Sequence, residues 1–580
     1  MIARAALAIA GLALATPLFL HAQGRGGNEW TASGHDAQRT AWLRTDARLT
    51  KDAIAKGDFQ FLWKVKLENT TRQLNSLTSP ILLDLLIGYR GFKSLGFVGG
   101  SDDRIFAVDT DLARPYWMSV LNYTSPNGGR PPSSWDCPGG LIATSSRRTV
   151  LAPSALAGRG GGGRGAPAGS AVGEPGKGAA ILSQPPPQRA GGPAPNAPAG
   201  GRAGAPGGAP GAPGAGGRGP APIGFGGVDP LYAVGSDGYI HTLLSSNGAD
   251  SEPAIPFIPA NAKPSSVLWV DGVVYTTTSG DCGAAPNAVW AMDLTPPAKE
   301  RKTLSWKTGG ASIAGTTGVA LGTDGTVFVA LGKSAAQAQA GSHADAVMAL
   351  DGATLQPKDW FVAEGADFNT SPIVIKFKDK DLVAAAGNDG RLYVLDATSL
   401  GGADHKTPLA VSGKYTSSGA GAALATWEDQ GTRWILAPAT GAPQGGVSFS
   451  ANGLAPNGRV VAFKLADDNG KVSLQPGWQS RDLTSPLAPI VVNGLVFAVS
   501  SGEYRPPASA ARTTLDAAQR AQRSTPAVLY VLDGATGKTL WTSGTKITSF
   551  ARAGLAASAG QVYLVTYDNH LYAFGIPIEH

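Results

Sequence analysis

The chain has 580 residues, with 48 Lys and Arg against 42 Asp and Glu, and two cysteines. Its 79 glycines and 42 prolines are about a fifth of the sequence, far above average usage, which indicates an embedded non-globular segment. The excess positive charge is confined mainly to that segment, so nucleic acid is excluded as an expected partner.

The first 22 residues have the pattern of an export signal. Arg4 precedes an apolar run that reaches Leu20, and Ala22 ends a suitable cleavage site. The run is short for a membrane span and no second span follows, so we predict a protein without a membrane span that is periplasmic or secreted. An uncleaved N-terminal anchor is the alternative. Residues 23–58 are predicted to form an N-terminal extension.

From residue 59 onward one pattern recurs. Each copy begins with a short apolar strand, a turn and a second strand. A turn with Gly, Asp or Asn follows, and then a third strand such as Leu-Tyr-Val-Leu-Asp, often with a Trp beyond it. The clearest copy spans residues 529–541. Alternation with a period of two, punctuated by Asp-Gly turns, predicts antiparallel strands. Only residues 508–522 indicate a helix.

Residues 154–226 interrupt this pattern. They contain 24 Gly and 13 Pro, with six basic residues, one acidic residue and almost nothing aromatic or β-branched. Such a composition cannot offset the entropy lost when a backbone is ordered. We therefore predict a disordered Gly/Pro-rich insertion.

The repeat count predicts the architecture. Eight copies occur, about 54 residues apart once the insertion is removed, which is the spacing of four-stranded propeller blades. We predict an all-β, eight-bladed β-propeller over residues 59–580, with the insertion inside blade 2. The last unit has only three strands, and residues 61–67 supply its fourth. Pairing of the N- and C-terminal strands would close the ring and remove exposed sheet edges.

The repeats resemble those of propellers of the pyrroloquinoline quinone (PQQ) type. Residues 29–42 are similar to the segment that these quinoproteins carry ahead of their first blade, and Asp533, Gly537 and Trp541 match an outer-strand motif. The resemblance covers residue 29 to the C-terminus except for the insertion, and it extends to the propeller of the outer-membrane assembly machinery. It implies that tryptophans lock neighbouring blades together: Trp63, Trp117, Trp306, Trp360 and Trp541.

The resemblance also implies a cofactor. PQQ-dependent alcohol dehydrogenases hold the quinone and Ca²⁺ over the ring axis and use an Asp as the base. They cover the quinone with a disulfide between adjacent cysteines, which this chain does not contain. Nor does the chain contain a Cys-x-x-Cys-His motif, so no haem is expected.

Antiparallel strands place two kinds of connection on one face of the ring. These are the lead-in segments that enter the first strand of each blade, and the loops between second and third strands. The loops are enlarged in four blades, at residues 279–287, 333–345, 439–457 and 503–527. We call this face the loop-rich face and expect function there. The insertion follows a first strand, so it belongs on the opposite face.

The two cysteines fall on the loop-rich face. Cys137 precedes the first strand of blade 2, and Cys282 lies between the second and third strands of blade 3. In an oxidising compartment we predict that they form a disulfide. Two free, buried thiols are the alternative.

The lead-in segments point toward one axial funnel. Arg and Lys there would suit the carboxylates of PQQ, Asp and Asn oxygens could hold Ca²⁺, and a Trp would stack on the planar ring of PQQ. The predicted cofactor-binding residues are Arg72, Asn75, Trp135, Lys263, Asn369, Arg481 and Arg552. Asp367 and Asn369 are candidate Ca²⁺ ligands, and the candidate catalytic bases are Asp136, Asp367 and Asp482. The alternative is that these charges pair with one another and line a watery channel.

Two functions stay open at this point, and with them the question of whether the protein is an enzyme. The first is a propeller that binds a small molecule, a glycan or an envelope protein on its loop-rich axial face, without a catalytic set. The second is a quinoprotein-like oxidoreductase that uses PQQ and Ca²⁺ to oxidise an alcohol or a sugar.

Overall fold

The computed structural model describes residues 29–88, 91–121, 134, 137–149, 151, 179–181, 230–334, 343–417, 419, 421, 423–505 and 515–577. The predicted export signal and almost all of the predicted insertion lie outside these residues. Both assignments therefore remain predictions. Among the described residues, no helix combines the length and apolar character needed to cross a membrane.

The described chain folds into eight successive sheets, which confirms the eight-bladed propeller. Ahead of the first blade lie β1 (Trp42–Leu43), α1 (Lys51–Lys56) and β2 (Gln60–Lys66). Blades 1 and 2, with the segment between them, contain β3 (Ile81–Gly88), β4 (Gly91–Gly100), β5 (Arg104–Asp109), β6 (Arg114–Val120), β7 (Arg148–Thr149), β8 (Ala179–Ile181), β9 (Leu231–Val234), β10 (Tyr239–Leu243) and β11 (Ile255–Pro256).

Three further blades follow without interruption. Blade 3 contains β12 (Leu268–Val270), β13 (Val273–Thr278), β14 (Ala288–Asp293) and β15 (Thr303–Lys307). Blade 4 contains β16 (Ala311–Ile313), β17 (Ala320–Leu321), β18 (Val327–Ser334), β19 (Ala346–Leu350) and β20 (Pro357–Val362). Blade 5 contains β21 (Ile373–Phe377), β22 (Lys380–Ala386), β23 (Leu392–Asp396) and β24 (Ala410–Val411). Short 3₁₀ helices occur at Cys282–Ala284, Ala298–Glu300 and Gly402–Asp404.

The last three blades complete the ring. Blade 6 contains β25 (Ala425–Asp429), β26 (Thr432–Thr440), β27 (Ser450–Ala451), β28 (Gly458–Asp468) and β29 (Lys471–Gln479). Blade 7 contains β30 (Ile490–Val492), β31 (Leu495–Ser500), α2 (Ala517–Arg523), β32 (Val528–Asp533) and β33 (Thr539–Thr542). Blade 8 contains β34 (Ala556–Ser558), β35 (Gln561–Val565) and β36 (His570–Gly575).

Burial differs between the strands of a blade. The first strands of neighbouring blades contact one another, as β3 does with β34 and β25 does with β30, so they line the axis. The second and third strands are buried along nearly their whole length, as in β18 and β19, because neighbouring blades cover both of their faces. The fourth strands are partly exposed, as in β20. Core strands therefore appear in the sequence as nearly continuous apolar runs.

Blade 8 takes its outer strand from the start of the chain. β2 pairs antiparallel with β36, so that Phe61 lies opposite Phe574 and Lys66 opposite His570. The ring centroids of Phe61 and Phe574 are 5.7 Å apart. The predicted pairing of residues 61–67 with the last unit is thus observed, shifted by one residue.

The N-terminal extension is part of the ring. We call residues 30–46 the axial segment, because its backbone carbonyls accept hydrogen bonds from first strands around the ring. The bonds run from Leu82 N to Trp30 O (2.8 Å), Arg147 N to Thr31 O (2.8 Å), Leu321 N to Ala37 O (2.8 Å), Val374 N to Gln38 O (2.9 Å), Thr426 N to Thr40 O (2.9 Å) and Val491 N to Ala41 O (2.9 Å).

The axial segment leaves the ring at the face opposite the loop-rich face. Asp46 Oδ2 accepts a hydrogen bond of 2.8 Å from Gly560 N, and Asn493 Nδ2 donates to Asp46 O at 2.5 Å. Gly560 and Asn493 both lie in turns that join a first strand to a second strand. We call the face that carries these turns the turn face.

Two tryptophans connect neighbouring blades in the same way. Trp117 of blade 1 donates from Nε1 to Ser245 O in blade 2 at 2.9 Å, and Trp478 of blade 6 donates to Gly534 O in blade 7 at 2.8 Å. Both residues are at most 1% exposed. The predicted locking role is observed for Trp117, whereas Trp478 was not among the predicted residues.

The other four predicted tryptophans are only partly buried. Trp360 of blade 4 stacks on His405 of blade 5 with ring centroids 3.9 Å apart, and Trp541 of blade 7 lies 5.8 Å from Phe574 of blade 8. Trp306 packs against the core between blades 3 and 4, and Trp63 contacts Tyr563 within blade 8.

The described residues form two short α-helices, and a short strand within the predicted insertion. The helix indicated at residues 508–522 is α2, and residues 506–514 lie outside the described part. α1 was not predicted, because six residues are too few to show a helical period. It begins after Thr50, whose side chain accepts from Ala53 N, and ends at Gly57. Within the predicted insertion, β8 pairs with β6 at the outer edge of blade 1.

Candidate functional site

The loop-rich face has its long loops where the sequence predicts them. Residues 279–287 separate β13 from β14, and the corresponding loops of blades 4, 6 and 7 leave β18, β26 and β31. Part of the blade 4 loop and part of the blade 7 loop lie outside the described residues. The face on which a binding site was expected therefore carries the loops to build one.

The predicted disulfide is confirmed. Cys137 and Cys282 are bonded across 145 residues of sequence, which ties the lead-in segment of blade 2 to the long loop of blade 3. Lys263 lies beside this link, because its carbonyl accepts a 3.1 Å hydrogen bond from Ser279 N at the start of the same loop.

Arg72 and Asn75 form the first group of predicted residues. Their backbones exchange hydrogen bonds of 2.9 and 2.8 Å, and Arg72 is 5% exposed. The Arg72 side chain runs past Gly139 in the lead-in segment of blade 2, where an added Cβ would lie 2.6 Å from Nη1. Burial raises the pKa of nearby Asp103, although Ser236 hydrogen bonds and the Arg72 charge act against the rise. Trp135 and Asp136 lie outside the described residues.

Asp367 and Asn369 do meet, through Asn388. Asp367 Oδ2 accepts hydrogen bonds from Asn388 Nδ2 (2.9 Å) and pairs with Lys333 Nζ (3.1 Å), while Oδ1 accepts from Lys333 N (2.9 Å). Asn369 Nδ2 donates to Asn388 Oδ1 at 2.7 Å. Burial opposes ionisation, but these hydrogen bonds and the Lys333 charge lower the pKa of Asp367 overall. Both Asp367 oxygens are engaged, so the arrangement favours a structural role over that of a base.

Asp482 and Arg481 are directed to other partners. Asp482 accepts hydrogen bonds from the backbone N and from Nδ2 of Asn457, at 2.8 and 2.7 Å, and so anchors the end of the long blade 6 loop. Arg481 lies over the ring of Tyr530 at 4.7 Å, on the third strand of blade 7. Neither residue is placed beside Asp367 or Arg72 by its observed contacts.

Arg552 belongs to a cluster that sequence reasoning missed. Glu503 is 0% exposed, and its two oxygens face Arg552 Nε (3.2 Å), Arg505 Nη2 (3.0 Å) and Arg520 Nη2 (2.8 Å). We call these four residues the arginine cluster. Burial and repulsion by Arg505 lower the pKa of Arg552, while Glu503 acts in the opposite direction. The sequence signal was the long loop at residues 503–527, which carries Glu503 and two of the arginines.

The arginine cluster adjoins the lead-in segment of blade 1. Phe550, two residues before Arg552, stacks on Tyr567 with ring centroids 4.6 Å apart. Tyr567 Oη donates to the carbonyl of Gln73 at 3.2 Å. Gly554 N donates to Ser79 Oγ at 2.7 Å. The cluster and the segment of Arg72 therefore form one basic sector across blades 7, 8 and 1.

The donor set suits an anion better than a metal ion. Within the described part of the chain, no three His, Cys, Asp or Glu side chains are grouped so as to hold a metal. Ca²⁺ takes six to eight oxygen ligands, and the oxygens of Asp367 and Asp482 are already hydrogen-bonded. Calcium at Asp367 and Asn369 remains a prediction without support from this arrangement. The guanidinium groups do fit the carboxylates of a quinone such as PQQ.

In its fold, the chain is an eight-bladed β-propeller similar to those of two quinohemoprotein alcohol dehydrogenases. Neither a protein-family model nor a curated protein sequence matches it. It is similar to the quinohemoprotein alcohol dehydrogenase of Comamonas testosteroni, with a TM-score of 0.52, 11% identity and coverage of 96% of this chain and 82% of that one. Quinohemoprotein alcohol dehydrogenase ADHIIG of Pseudomonas putida HK5 gives a TM-score of 0.50, 11% identity and the same coverage. At this identity, the likeness confirms the predicted fold and carries nothing about cofactor or substrate.

Proposed function

We propose that the protein is an exported propeller that binds a small anionic ligand on its loop-rich face, at the arginine cluster. One observation supports the proposal: a fully buried carboxylate, Glu503, pairs with three guanidinium groups, so these four residues together have a formal charge of +2. A ligand with two or more carboxylate or phosphate groups would balance that charge.

The cluster is also accessible from solvent. The side chains of Arg552 and Arg505 are 32% and 38% exposed, whereas Arg520 is 11% exposed. Glu503 holds the guanidinium groups in place before a ligand arrives, which reduces the entropy lost on binding. Planar guanidinium groups then offer paired N–H donors to a carboxylate.

Thermal unfolding with and without citrate tests this site. A ligand that binds only the native state raises the melting temperature by mass action, worth about 2.7 kcal/mol at a concentration of roughly 100 Kd. We expect citrate to stabilise the wild type but not Arg552→Gln. Lys538→Gln is the control, because Lys538 is exposed on the turn face of blade 7, the blade that supplies Glu503, Arg505 and Arg520. No shift in the wild type at millimolar citrate, or an equal shift in Arg552→Gln, would refute the proposal.

The second candidate is a PQQ-dependent oxidoreductase. The fit of the arginine cluster to a tricarboxylate favours it. PQQ, when bound, would supply the two-electron acceptor, and Arg552 and Arg505 would hold its carboxylates. The engaged oxygens of Asp367 and Asp482 give no support for a base. Dye reduction with a panel of alcohols and sugars, with PQQ and with or without Ca²⁺, decides between a dehydrogenase and a binding protein.

Export is part of the proposal, and it depends on the signal-like pattern of residues 1–22. Cell fractionation followed by intact-mass measurement is the test. We expect a periplasmic or secreted form that starts at Gln23. A cytoplasmic protein that retains Met1 would contradict it.

A further inference from the structure

The hairpin of β3 and β4 in blade 1 is longer than the corresponding hairpins of other blades. In blade 7, Val492 and Leu495 are the last pair before a two-residue turn, and the first two strands of blades 3, 5, 6 and 8 are also joined by two residues. The corresponding pair in blade 1 is Leu83 and Leu95, because in both blades the preceding residue of the first strand donates its N–H to the axial segment. A bulge and three further residue pairs follow in blade 1, which add about 10 Å of ribbon on the turn face.

One face of this extension packs on blade 1. Leu86 is 3% exposed and belongs to the apolar core of that blade. Lys93, its partner across the hairpin, pairs through Nζ with the buried carboxylate of Asp109 at 3.0 Å. The same Nζ lies 5.4 Å from the centroid of the Tyr116 ring. These buried contacts hold the extension in one orientation.

Three large apolar side chains are exposed around the extension. Phe92 is 71% exposed, Leu85 51% and Leu112 50%. They lie close together, because Ser94 binds the residue before each leucine. Its Oγ donates to the carbonyl of the residue before Leu85 at 2.7 Å, and its backbone N donates to the carboxylate of the residue before Leu112 at 3.0 Å. We call Leu85, Phe92 and Leu112 the blade 1 apolar patch.

The size of the blade 1 apolar patch favours a lipid surface over a protein partner. Three side chains with these exposed fractions offer roughly 300 Å², whereas a stable protein–protein interface buries about 800 Å² on each partner. Binding to a bilayer has no such minimum, because its strength grows with the apolar area buried at the boundary between headgroups and acyl chains. Arg114, two residues after Leu112, is exposed, and its positive charge suits lipid phosphates.

The first described residue of the chain lies beside the extension. Glu29 Oε1 accepts a hydrogen bond of 3.3 Å from Asp84 N, which precedes Leu85 of the patch. The apolar run of the predicted export signal ends at Leu20, and residues 21–28 separate it from Glu29. Eight residues span at most about 28 Å. A leader held in the membrane during export therefore keeps blade 1 within that distance of the bilayer, an argument that rests on the proposed export.

We propose that the extended hairpin of blade 1 docks the protein on a lipid bilayer, with the blade 1 apolar patch at the boundary between headgroups and acyl chains. Aromatic and aliphatic side chains are favoured at that depth. The ribbon enters no further, because the backbone groups at its edges need hydrogen-bond partners that hydrocarbon does not offer. Docking through the turn face leaves the loop-rich face, and with it the arginine cluster, open to solvent.

Flotation with phosphatidylcholine vesicles tests the hairpin. We expect the protein to float with the vesicles in low and in high salt, because burial of apolar side chains is not screened by ions. The double variant Leu85→Ser/Phe92→Ser should bind at least about tenfold more weakly, since burial of either side chain is worth roughly that factor. Leu454→Ser is the matched control, because Leu454 is 91% exposed but lies in the long blade 6 loop on the loop-rich face.

The depth of the hairpin gives a second measurement. Brominated lipids should quench the added fluorescence of Phe92→Trp but not that of Leu454→Trp. All proteins are compared in the same processed state, so the difference between variants reports on the hairpin whether or not residues 1–22 have been removed. Failure of the export proposal and failure of the docking proposal are therefore distinguishable.

Several outcomes would overturn the docking proposal. Absence of flotation, or equal flotation of the wild type and the double variant, would exclude the hairpin as a membrane contact. Release of the protein in high salt would assign the contact to charges instead of apolar side chains. A dimer in analytical ultracentrifugation that the double variant abolishes, without lipid binding, would make a second copy of the chain the occupant of the patch. Melting temperatures of all variants report whether they fold.

Discussion

Replacing Gly537 with Ala should weaken the contact between blades 6 and 7. Gly537 has φ 71°, and a Cβ added there would lie 2.3 Å from Cε3 of Trp478. The Trp478 ring is 1% exposed and is held by its hydrogen bond to Gly534 O, so it has little room to move. A left-handed backbone costs about 1–2 kcal/mol for a residue with a Cβ. Overpacking of a buried site adds about 1–3 kcal/mol.

Chemical unfolding followed by tryptophan fluorescence measures the loss, which should total about 2–5 kcal/mol. Gly325→Ala is the matched control, because Gly325 has φ 82° but nothing lies within 4 Å of an added Cβ. It should lose only the backbone cost, about 1–2 kcal/mol. Trp478→Phe in the Gly537→Ala background should recover part of the packing loss, because the smaller ring relieves the clash. Equal losses in Gly537→Ala and Gly325→Ala would refute the inferred blade contact.

Three further predictions concern stability. His241 Nε2 lies 3.3 Å from the Asp237 carboxylate, and His241 Nδ1 lies 3.5 Å from the Asp250 carboxylate. Burial of the ring opposes a positive charge, but these two carboxylates raise the pKa of His241 from 6.5 to about 9. Protonated His241 therefore adds up to about 3 kcal/mol to the free energy of unfolding below pH 6.5, and this contribution is lost as the pH rises to about 9. The difference in unfolding free energy between the wild type and His241→Gln should shrink over that range. Replacing both Cys137 and Cys282 should lower the free energy of unfolding by up to about 5 kcal/mol, from the chain-entropy relation for a 145-residue loop. An unchanged unfolding midpoint would contradict this prediction. Deleting the predicted Gly/Pro-rich insertion should leave the melting temperature nearly unchanged, whereas a large fall would show that it is ordered.

The repeat could be recognised from sequence because its causes are local. The Asp that ends the third strand accepts hydrogen bonds from the turn that follows it: in blade 7, Asp533 Oδ1 accepts from Thr536 N at 2.9 Å and from Thr536 Oγ1 at 2.8 Å. Buried second and third strands require apolar residues on both faces. Each repeat therefore carries the same chemistry wherever it stands in the chain.

The site residues were harder to predict, because their partners belong to other blades. Sequence order alone placed Arg552, Asp367 and Asp482 on lead-in segments directed toward the axis. It gave no information on whether each would find an opposite charge or an amide on a neighbouring loop. Asp482 meets Asn457 and Arg552 meets Glu503 because of the conformation of two long loops, which no repeat pattern specifies.

The sequence by itself predicted the number of blades, the pairing of residues 61–67 with the last unit and a disulfide between Cys137 and Cys282. The blade number and the pairing follow from the repeat count and the strand count, which are properties of the chain read in order. The disulfide follows from the alternation of faces together with an oxidising compartment. Tertiary structure alone decided that Glu503 is buried among three arginines and that the axial segment hydrogen-bonds to the first strands around the ring. The physical reason is that burial and ion pairing depend on which distant segments meet, and only the closed ring brings those segments together.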